Sequence, residues 1–217
     1  SILGNAFKQV VTSLALGPFG FTGHIPRVDQ LIRSQHSNVL PGLPHGWLAN
    51  LPKLERLDLS GMPVERLDWL EGCDSLSWLR LRGTHQLTEL ATLPTLPLET
   101  LDLDGSRSLK DLSGLKKLNK LKYLDLAGCT SLTHVSALRE APDLQWLNLS
   151  RCERLVSLEG IEGMASLREL DVGGCLSLQD ISPLGKLAKL EELDLSLLPK
   201  LEHVDALNPC QRLKRVV

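Results

Sequence analysis

The sequence predicts an α/β solenoid, in which short parallel strands stack in register and turn or 3-10 segments return the chain between them. Three observations lead to this prediction. The sequence repeats every 22 or 23 residues, each repeat contains an alternating apolar pattern, and the remainder of each repeat has apolar residues at intervals of three. Aromatic residues make up only 4% of the 217 residues, so leucine must fill most of the core.

Each repeat begins with the pattern L-x-x-L-x-L. The units start at Leu54, Leu76, Leu98, Leu121, Leu144, Leu167, Leu190 and Leu213, and positions 1, 4 and 6 of the seven complete units are all leucine except Val172. Because leucine placed by chance would not stay in phase through seven units, the repeat is the basic unit of this structure.

The elements within a repeat follow from this pattern. Positions 4 and 6 are apolar and position 5 is polar, which predicts a short strand with one buried face. Positions 12 and 15 carry further apolar residues, and their close spacing favours turns and 3-10 segments over full helices. Stacking such units gives a parallel, in-register sheet.

The two ends depart from the repeat. In residues 1–37, Phe7, Val10, Val11 and Leu14 have helical spacing, which predicts an amphipathic helix over Leu3–Leu16. We interpret 1–37 as an N-terminal helical cap or as the end of a preceding domain, and 38–217 as an array of about 8 repeats. The last repeat is partial, so we expect further chain or a partner to cover the open C-terminal repeat.

From about Asn38 to Val217 the pattern resembles the leucine-rich repeat family. The return segments "LQDISPLGKLAKL" and "LEHVDALNPCQRL" are similar to the slender repeats of bacterial and plant intracellular receptors and effectors. The resemblance implies a right-handed superhelix with a concave parallel sheet, and a non-enzymatic module that recognises a protein or peptide. The alternatives are the substrate-recruiting domain of an enzyme, such as a ubiquitin-ligase-type effector whose catalytic domain lies outside this segment, and a structural spacer.

The five cysteines recur at two repeat positions. Cys129, Cys152 and Cys175 occupy position 9, while Cys73 and Cys210 occupy position 21. Apolar or small residues fill both positions in other units, so we predict buried structural thiols, with a disulfide between adjacent repeats or a metal site as alternatives. We expect no metal and no cofactor. Free thiols favour a reducing compartment, the cytoplasm, or the host cytosol if the protein is a secreted effector.

The predicted binding residues lie on the exposed side of the strands. Position 3 carries Trp78, Tyr123 and Trp146 in one column, and such aromatic residues either form interaction hot spots or pack on one another. Arg80, Arg82 and Arg151 border this column, and Arg151, which replaces a glycine, is predicted to lie beside Trp146.

An acidic group follows along the same surface. Its members are Glu169, Asp171, Glu191, Glu192 and Asp194, with only Arg168 expected nearby. This group favours a partner with basic groups; the alternative interpretation is that an aspartate at position 5 bonds locally to the backbone. The net charge of −2 argues against nucleic acid, and no apolar run is long enough for a membrane span.

Two Asp–His pairs occupy position 14 of neighbouring repeats, Asp111 with His134 and Asp180 with His203. No serine or cysteine nucleophile accompanies either pair in the repeat register, so we interpret them as solvated residues and predict no catalytic site.

Overall fold

The computed structural model describes the backbone of residues 13–15, Leu48, and residues 51–217. Among these residues, nine strands form one sheet, and the strands lie side by side in sequence order. The strands are β1 (Ser13–Ala15), β2 (Arg56–Asp58), β3 (Trp78–Arg80), β4 (Thr100–Asp102), β5 (Tyr123–Asp125), β6 (Trp146–Asn148), β7 (Glu169–Asp171), β8 (Glu192–Asp194) and β9 (Arg215–Val216).

The register of the sheet follows the sequence repeat. All neighbouring strands are parallel, and residues at the same repeat position pair with one another, as Leu124 pairs with Leu147 and Leu147 with Leu170. The predicted in-register parallel sheet is therefore confirmed. A side chain at one repeat position has its equivalents on both adjacent strands, about 5 Å away.

The return segments contain 3-10 helices, as predicted. These helices are Asp68–Leu70, Ser113–Lys117, Ser136–Glu140, Ile161–Gly163, Ser182–Lys186 and Asp205–Leu207. Asp111 and Asp180 support two of them by accepting hydrogen bonds from the backbone N–H of Ser113 and Ser182, both at 2.7 Å. In the part of the chain that the structure describes, no helix is long and apolar enough to cross a membrane.

The described part of the N-terminal segment differs from the sequence prediction. Ser13–Ala15, the end of the predicted helix Leu3–Leu16, is instead a strand that pairs in parallel with β2. The unpaired edge of β2 offers backbone hydrogen bonds to this segment, and the β-branched Val10, Val11 and Thr12 before it favour extended backbone. The rest of the predicted cap lies outside the described residues.

Leucine forms the core. At position 4 of the strands, every leucine from Leu57 to Leu193 is at most 3% exposed. Polar side chains inside this core are bonded: Thr84 and Ser106 donate hydrogen bonds to the carbonyl oxygen of Leu81, at 2.8 and 3.0 Å. Among the described residues, no buried side-chain polar atom lacks a partner.

The cysteines are buried and unpaired, as positions 9 and 21 predict. The thiols of Cys152 and Cys175 each donate to a carbonyl oxygen of the preceding repeat, at 3.2 Å, where Ser106 makes the equivalent bond with its hydroxyl. Position 9 thus accepts a small side chain with a donor that points to the preceding strand. The described residues include no group of three or more His, Cys, Asp or Glu suited to a metal ion.

We expect the thiols to react slowly in the native protein. Burial raises the pKa of Cys129 and Cys175 to about 12 and that of Cys73 to about 11, so almost no thiolate exists at neutral pH. Titration with a thiol reagent should detect few groups in the native protein and all five after unfolding without reductant. Fewer than five groups in the unfolded chain would show a disulfide.

Candidate functional site

Positions 3 and 5 of strands β2–β8 form one continuous surface, which we call the sheet face. The strand register aligns position 3 into a single column, as the sequence predicted; it reads Arg56, Trp78, Thr100, Tyr123, Trp146, Glu169 and Glu192. Tyr123 is 44% exposed, whereas Trp78 and Trp146 are half-buried. The structure therefore confirms that the aromatic residues lie in one column, but the two tryptophans are less exposed than the sequence predicted.

Arginines of the same chain cover Trp78. The guanidinium carbons of Arg56 and Arg80 lie 4.3 and 4.6 Å from the centre of its ring, within cation–π range. Arg80 also forms ion pairs with Asp58 at 3.4 Å and with Asp102 at 3.1 Å. Trp78 is thus packed within its own domain, which was one of the two roles that the sequence left open for the column.

A second arginine, Arg82, forms an ion pair with Asp102. Its buried carboxylate pairs with the Nε of Arg82 at 2.7 Å in addition to its contact with Arg80. Of the predicted binding residues, Arg80 and Arg82 therefore already have acidic partners within the chain. The N-terminal half of the sheet face is largely neutralised internally, and it offers a partner little uncompensated charge.

The position 5 side chains bond locally to the backbone, as one of the two sequence interpretations proposed. With the exception of Arg80, each accepts a hydrogen bond from the backbone N–H two residues later, at 2.8 to 3.3 Å; the acceptors are Asp58, Asp102, Asp125, Asn148, Asp171 and Asp194. This bond explains why an acidic or amide residue recurs at position 5. Asn148 shows that a neutral amide makes the same bond.

Asp125 and Asp171 make this local bond but form no ion pair within the described residues. Burial raises the pKa of both carboxyl groups, and the neighbouring Asp194 raises that of Asp171 further. Within the described residues, neither carboxylate has a cationic side chain in ion-pair contact, unlike Asp102. The C-terminal half of the sheet face therefore carries half-buried carboxylates that no cation among the described residues neutralises through an ion pair.

A shallow depression of about 180 Å³ lies beside Trp146. Its polar lining consists of Glu169, Asp171, Glu192, Asp194 and Arg215, and Trp146 forms one wall. This depression brings together four of the five predicted acidic residues with one of the predicted aromatic residues.

The prediction that only Arg168 neutralises this end is wrong. Glu191 pairs with Arg168 at 2.8 Å and also with Lys214 at 2.6 Å, and these contacts lower the pKa of its carboxyl group. Glu192 approaches Arg215 at 3.5 Å. The basic residues of the last, partial repeat therefore reach back to the preceding one, which leaves Glu169 and Asp171 as the acidic residues nearest to Trp146 without an ion pair among the described residues.

The structure also corrects the position of Arg151. Its side chain extends toward the next repeat, where a Cβ at Gly174 would lie 3.3 Å from its Cγ, and its charge lowers the pKa of Asp171. The guanidinium–aromatic contacts within the described residues are those on Trp78. Arg151 thus interacts electrostatically with Asp171 and does not stack on Trp146.

Position 8 requires left-handed backbone. Five glycines occupy it with φ between 63° and 73°, and Arg151 and Leu197 adopt the same conformation with φ of 57° and 55°. A side chain in this region costs about 1–2 kcal/mol. Leu197 is also 78% exposed, so nothing in its own burial offsets that cost.

Leu197→Gly is therefore expected to stabilise the domain by up to about 1 kcal/mol, because relief of the strained backbone exceeds the entropy gained by the unfolded chain. Leu176→Gly is the matched control, since Leu176 is also an exposed leucine but has no left-handed backbone. That control should lower the free energy of unfolding measured in urea. Equal losses in both variants would contradict the strain argument.

The two Asp–His pairs do not form catalytic arrangements. Asp111 and Asp180 bond to the N–H and hydroxyl groups of Ser113 and Ser182, and His134 lies 3.0 Å from the hydroxyl of Thr133. These are exposed residues of the return segments, as the sequence indicated. Local bonds already engage the carboxylates that would orient a catalytic histidine.

Asp125 and Asn148 are not among the binding residues predicted from the sequence. Both occupy position 5 of strands that carry exposed or half-buried aromatics, and the repeat register alone places Asn148 between Asp125 and Asp171. The sequence feature that could have identified them is the single asparagine that interrupts the aspartates of position 5 in the repeat that carries Trp146.

The nine parallel strands, the leucine core and the 3-10 returns define a leucine-rich repeat solenoid. A family model described as the leucine-rich repeat domain of the endo-beta-N-acetylglucosaminidase EndoS matches residues 96–208, about half of the chain. The chain belongs to this leucine-rich repeat family. A search of curated proteins finds no match to the sequence.

Solved structures with the same fold come from proteins of different kinds. Internalin C2 of Listeria monocytogenes is 19% identical, with a TM-score of 0.65 over 99% of this chain and 84% of the internalin. The leucine-rich repeat domain of the type III effector XopL is 22% identical, with a TM-score of 0.58 over 78% of this chain and 62% of that domain. TLR13 in a TLR13–ssRNA13 complex is 17% identical, with a TM-score of 0.59 over 99% of this chain and 33% of the receptor.

Proposed function

We propose that this chain is a non-enzymatic module that recognises a protein or peptide on the C-terminal half of its sheet face. The observation that carries this proposal is the contrast between the two halves. Trp78 is covered by two arginines of its own chain, whereas Tyr123 is 44% exposed and Trp146 borders an open depression. Exposed aromatic residues beside uncompensated polar groups are typical of interaction hot spots.

The charge of this surface favours a partner with basic groups. Glu169 and Asp171 lack ion pairs among the described residues, and Asp125 is a third carboxylate without one. Such a surface attracts cationic groups and repels phosphates, so we propose a polypeptide partner rather than a nucleic acid or a membrane.

A cytoplasmic role, as part of a larger bacterial receptor or as an effector in a host cytosol, is supported by five buried free thiols and by the fold shared with the effector XopL. The second candidate is a substrate-recruiting domain of an enzyme. The matching family model supports this alternative, because its description names the repeat domain of an enzyme.

Peptide selection tests the proposal. A random twelve-residue display library would be selected on the immobilised domain, and recovered peptides would be measured against a Tyr123→Ala/Trp146→Ala double variant. We expect this variant to lose binding, because it removes both accessible aromatics of the sheet face. His134→Ala is the matched control on an exposed return segment, and it should bind normally.

Peptides that bind the double variant as well as the wild-type domain would place recognition on another surface. A random single-stranded RNA serves as the second probe, since one structural neighbour was solved with RNA. Retention of RNA at physiological salt, with no peptide recovered, would overturn the proposed function.

A further inference from the structure

The sheet face contains the same arrangement twice. In the first copy, β3 carries Trp78 and Arg80, and the two strands beside it place Asp58 and Asp102 on either side of Arg80. In the second, β6 carries Trp146 and Asn148, and its neighbours place Asp125 and Asp171 on either side of Asn148. A tryptophan and two flanking aspartates are thus common to both, and the residue between the two aspartates differs.

In the first arrangement the chain supplies its own guanidinium group. Arg80 lies over Trp78 at 4.6 Å, donates through Nε to Asp102 at 3.1 Å, and donates through an Nη to Asp58 at 3.4 Å. The group therefore satisfies an aromatic face and two carboxylates at once. This contact set suits a planar cation with donors on two edges.

In the second arrangement no guanidinium group of the described residues takes this place. Asn148 is too short to span the two strands, and its side-chain oxygen accepts the N–H of Ser150 at 2.9 Å. Among the described residues, Asp125 and Asp171 form no ion pair, and burial raises the pKa of both carboxyl groups. The cations that act on them, Arg82 and Arg151, do so from outside ion-pair distance.

We infer that Trp146, Asn148, Asp125 and Asp171 form an arginine-binding site, in which an arginine side chain of the partner takes the place that Arg80 takes beside Trp78. This inference rests on the proposed function and names the chemistry that the sheet face recognises. The partner residue stacks on Trp146 and bridges the two aspartates across β6.

Arginine fits this site better than lysine. A guanidinium group is planar, stacks on aromatic rings and directs donors along two edges, whereas an ammonium group is a compact point charge. The two aspartates lie on opposite neighbours of β6, so they approach a bound cation from two sides. The filled copy within the same chain shows that this geometry accepts a guanidinium group.

A tripeptide titration tests the site directly. The probe is acetyl-Gly-Arg-Gly-amide, followed by the NMR signal of the Trp146 indole N–H, with the citrulline tripeptide as the neutral control of the same shape. We expect saturable shifts with the arginine peptide at millimolar concentration. Binding should be at least about tenfold weaker with the citrulline peptide and with a matching peptide in which lysine replaces arginine. The indole signal of Trp78 should not shift, because the guanidinium groups of Arg56 and Arg80 already lie over this ring.

Variants of the domain give an independent readout. Asn148→Arg should fill the site from within, abolish the response of Trp146, and raise the thermal midpoint by about 2–4 °C. Gln179→Arg is its control, because it adds the same charge on an exposed return segment. Asp125→Asn and Asp171→Asn should each lower the affinity for the arginine peptide several-fold. Both variants should remain folded, since Asn148 shows that asparagine keeps the local backbone bond.

Equal responses to the arginine and citrulline peptides, or no response to either, would overturn the arginine site. Unchanged tripeptide binding in Asn148→Arg would overturn it as well. These failures are distinct from failure of the proposed function, because library peptides that depend on Trp146 but contain no arginine would leave recognition by the sheet face intact.

Discussion

Gly114→Ala is expected to lower the free energy of unfolding by about 3 kcal/mol. Gly114 is buried in the 3-10 helix Ser113–Lys117, where a Cβ would overlap the carbonyl oxygen of Leu90 and lie 2.6 Å from its carbonyl carbon. The obstacle is backbone of the preceding repeat, so rotation of a side chain cannot relieve it. The added methyl group would push two repeats apart, which disturbs the leucine packing between them.

Gly163→Ala is the control for this effect. Gly163 also lies in a 3-10 helix, but the nearest atoms to its Cβ would be those of Arg139 at 3.7 Å or more, which is ordinary contact. Urea denaturation followed by circular dichroism should show a change within about 0.5 kcal/mol. A loss in Gly163→Ala as large as that in Gly114→Ala would mean that the close approach of repeats is not the cause.

Trp146→Ala should weaken binding of a selected peptide by about 2 kcal/mol or more, about thirtyfold. Because Trp146 is half-buried, we also expect a stability loss of about 1 kcal/mol. The reason for the large binding effect is that this ring has no cation from its own chain over it within the described residues, so its face is available to a partner.

Trp78→Ala provides the contrast. Here the ring supports Arg56 and Arg80, so its removal should lower stability by a similar amount while changing peptide affinity less than threefold. Titration calorimetry and urea denaturation on both variants would separate the two roles. If Trp78→Ala reduced affinity as strongly as Trp146→Ala, the division of the sheet face into a neutralised half and a binding half would be wrong.

The repeat register made most of the fold predictable. Once the pattern L-x-x-L-x-L is in phase, the leucines at positions 4 and 6 must point inward and position 3 must form a column, because side chains alternate along a strand. The same reasoning placed Cys129 and Cys152 in the core. These features depend on the local sequence and on a repeated environment, which is why the structure confirms them.

The features that were missed depend on contacts between repeats or on a segment outside the pattern. Arg80 could be placed between two aspartates by register, but the stacking of Arg56 on Trp78 depends on a flexible side chain whose rotamer the sequence does not define. Lys214 reaches Glu191 for the same reason. At Ser13–Ala15, a short apolar pattern compatible with a helix is outweighed by backbone pairing with β2.

Mapping of a bound peptide by NMR tests the central claim most directly. Backbone amide shifts of the labelled domain would be followed on addition of the tightest peptide from the library. We predict that the largest changes fall on strands β5 to β7, at Tyr123, Trp146, Asn148 and Asp171, and that the 3-10 helices remain unchanged. Changes centred on the return segments, with the sheet face unaffected, would contradict the account.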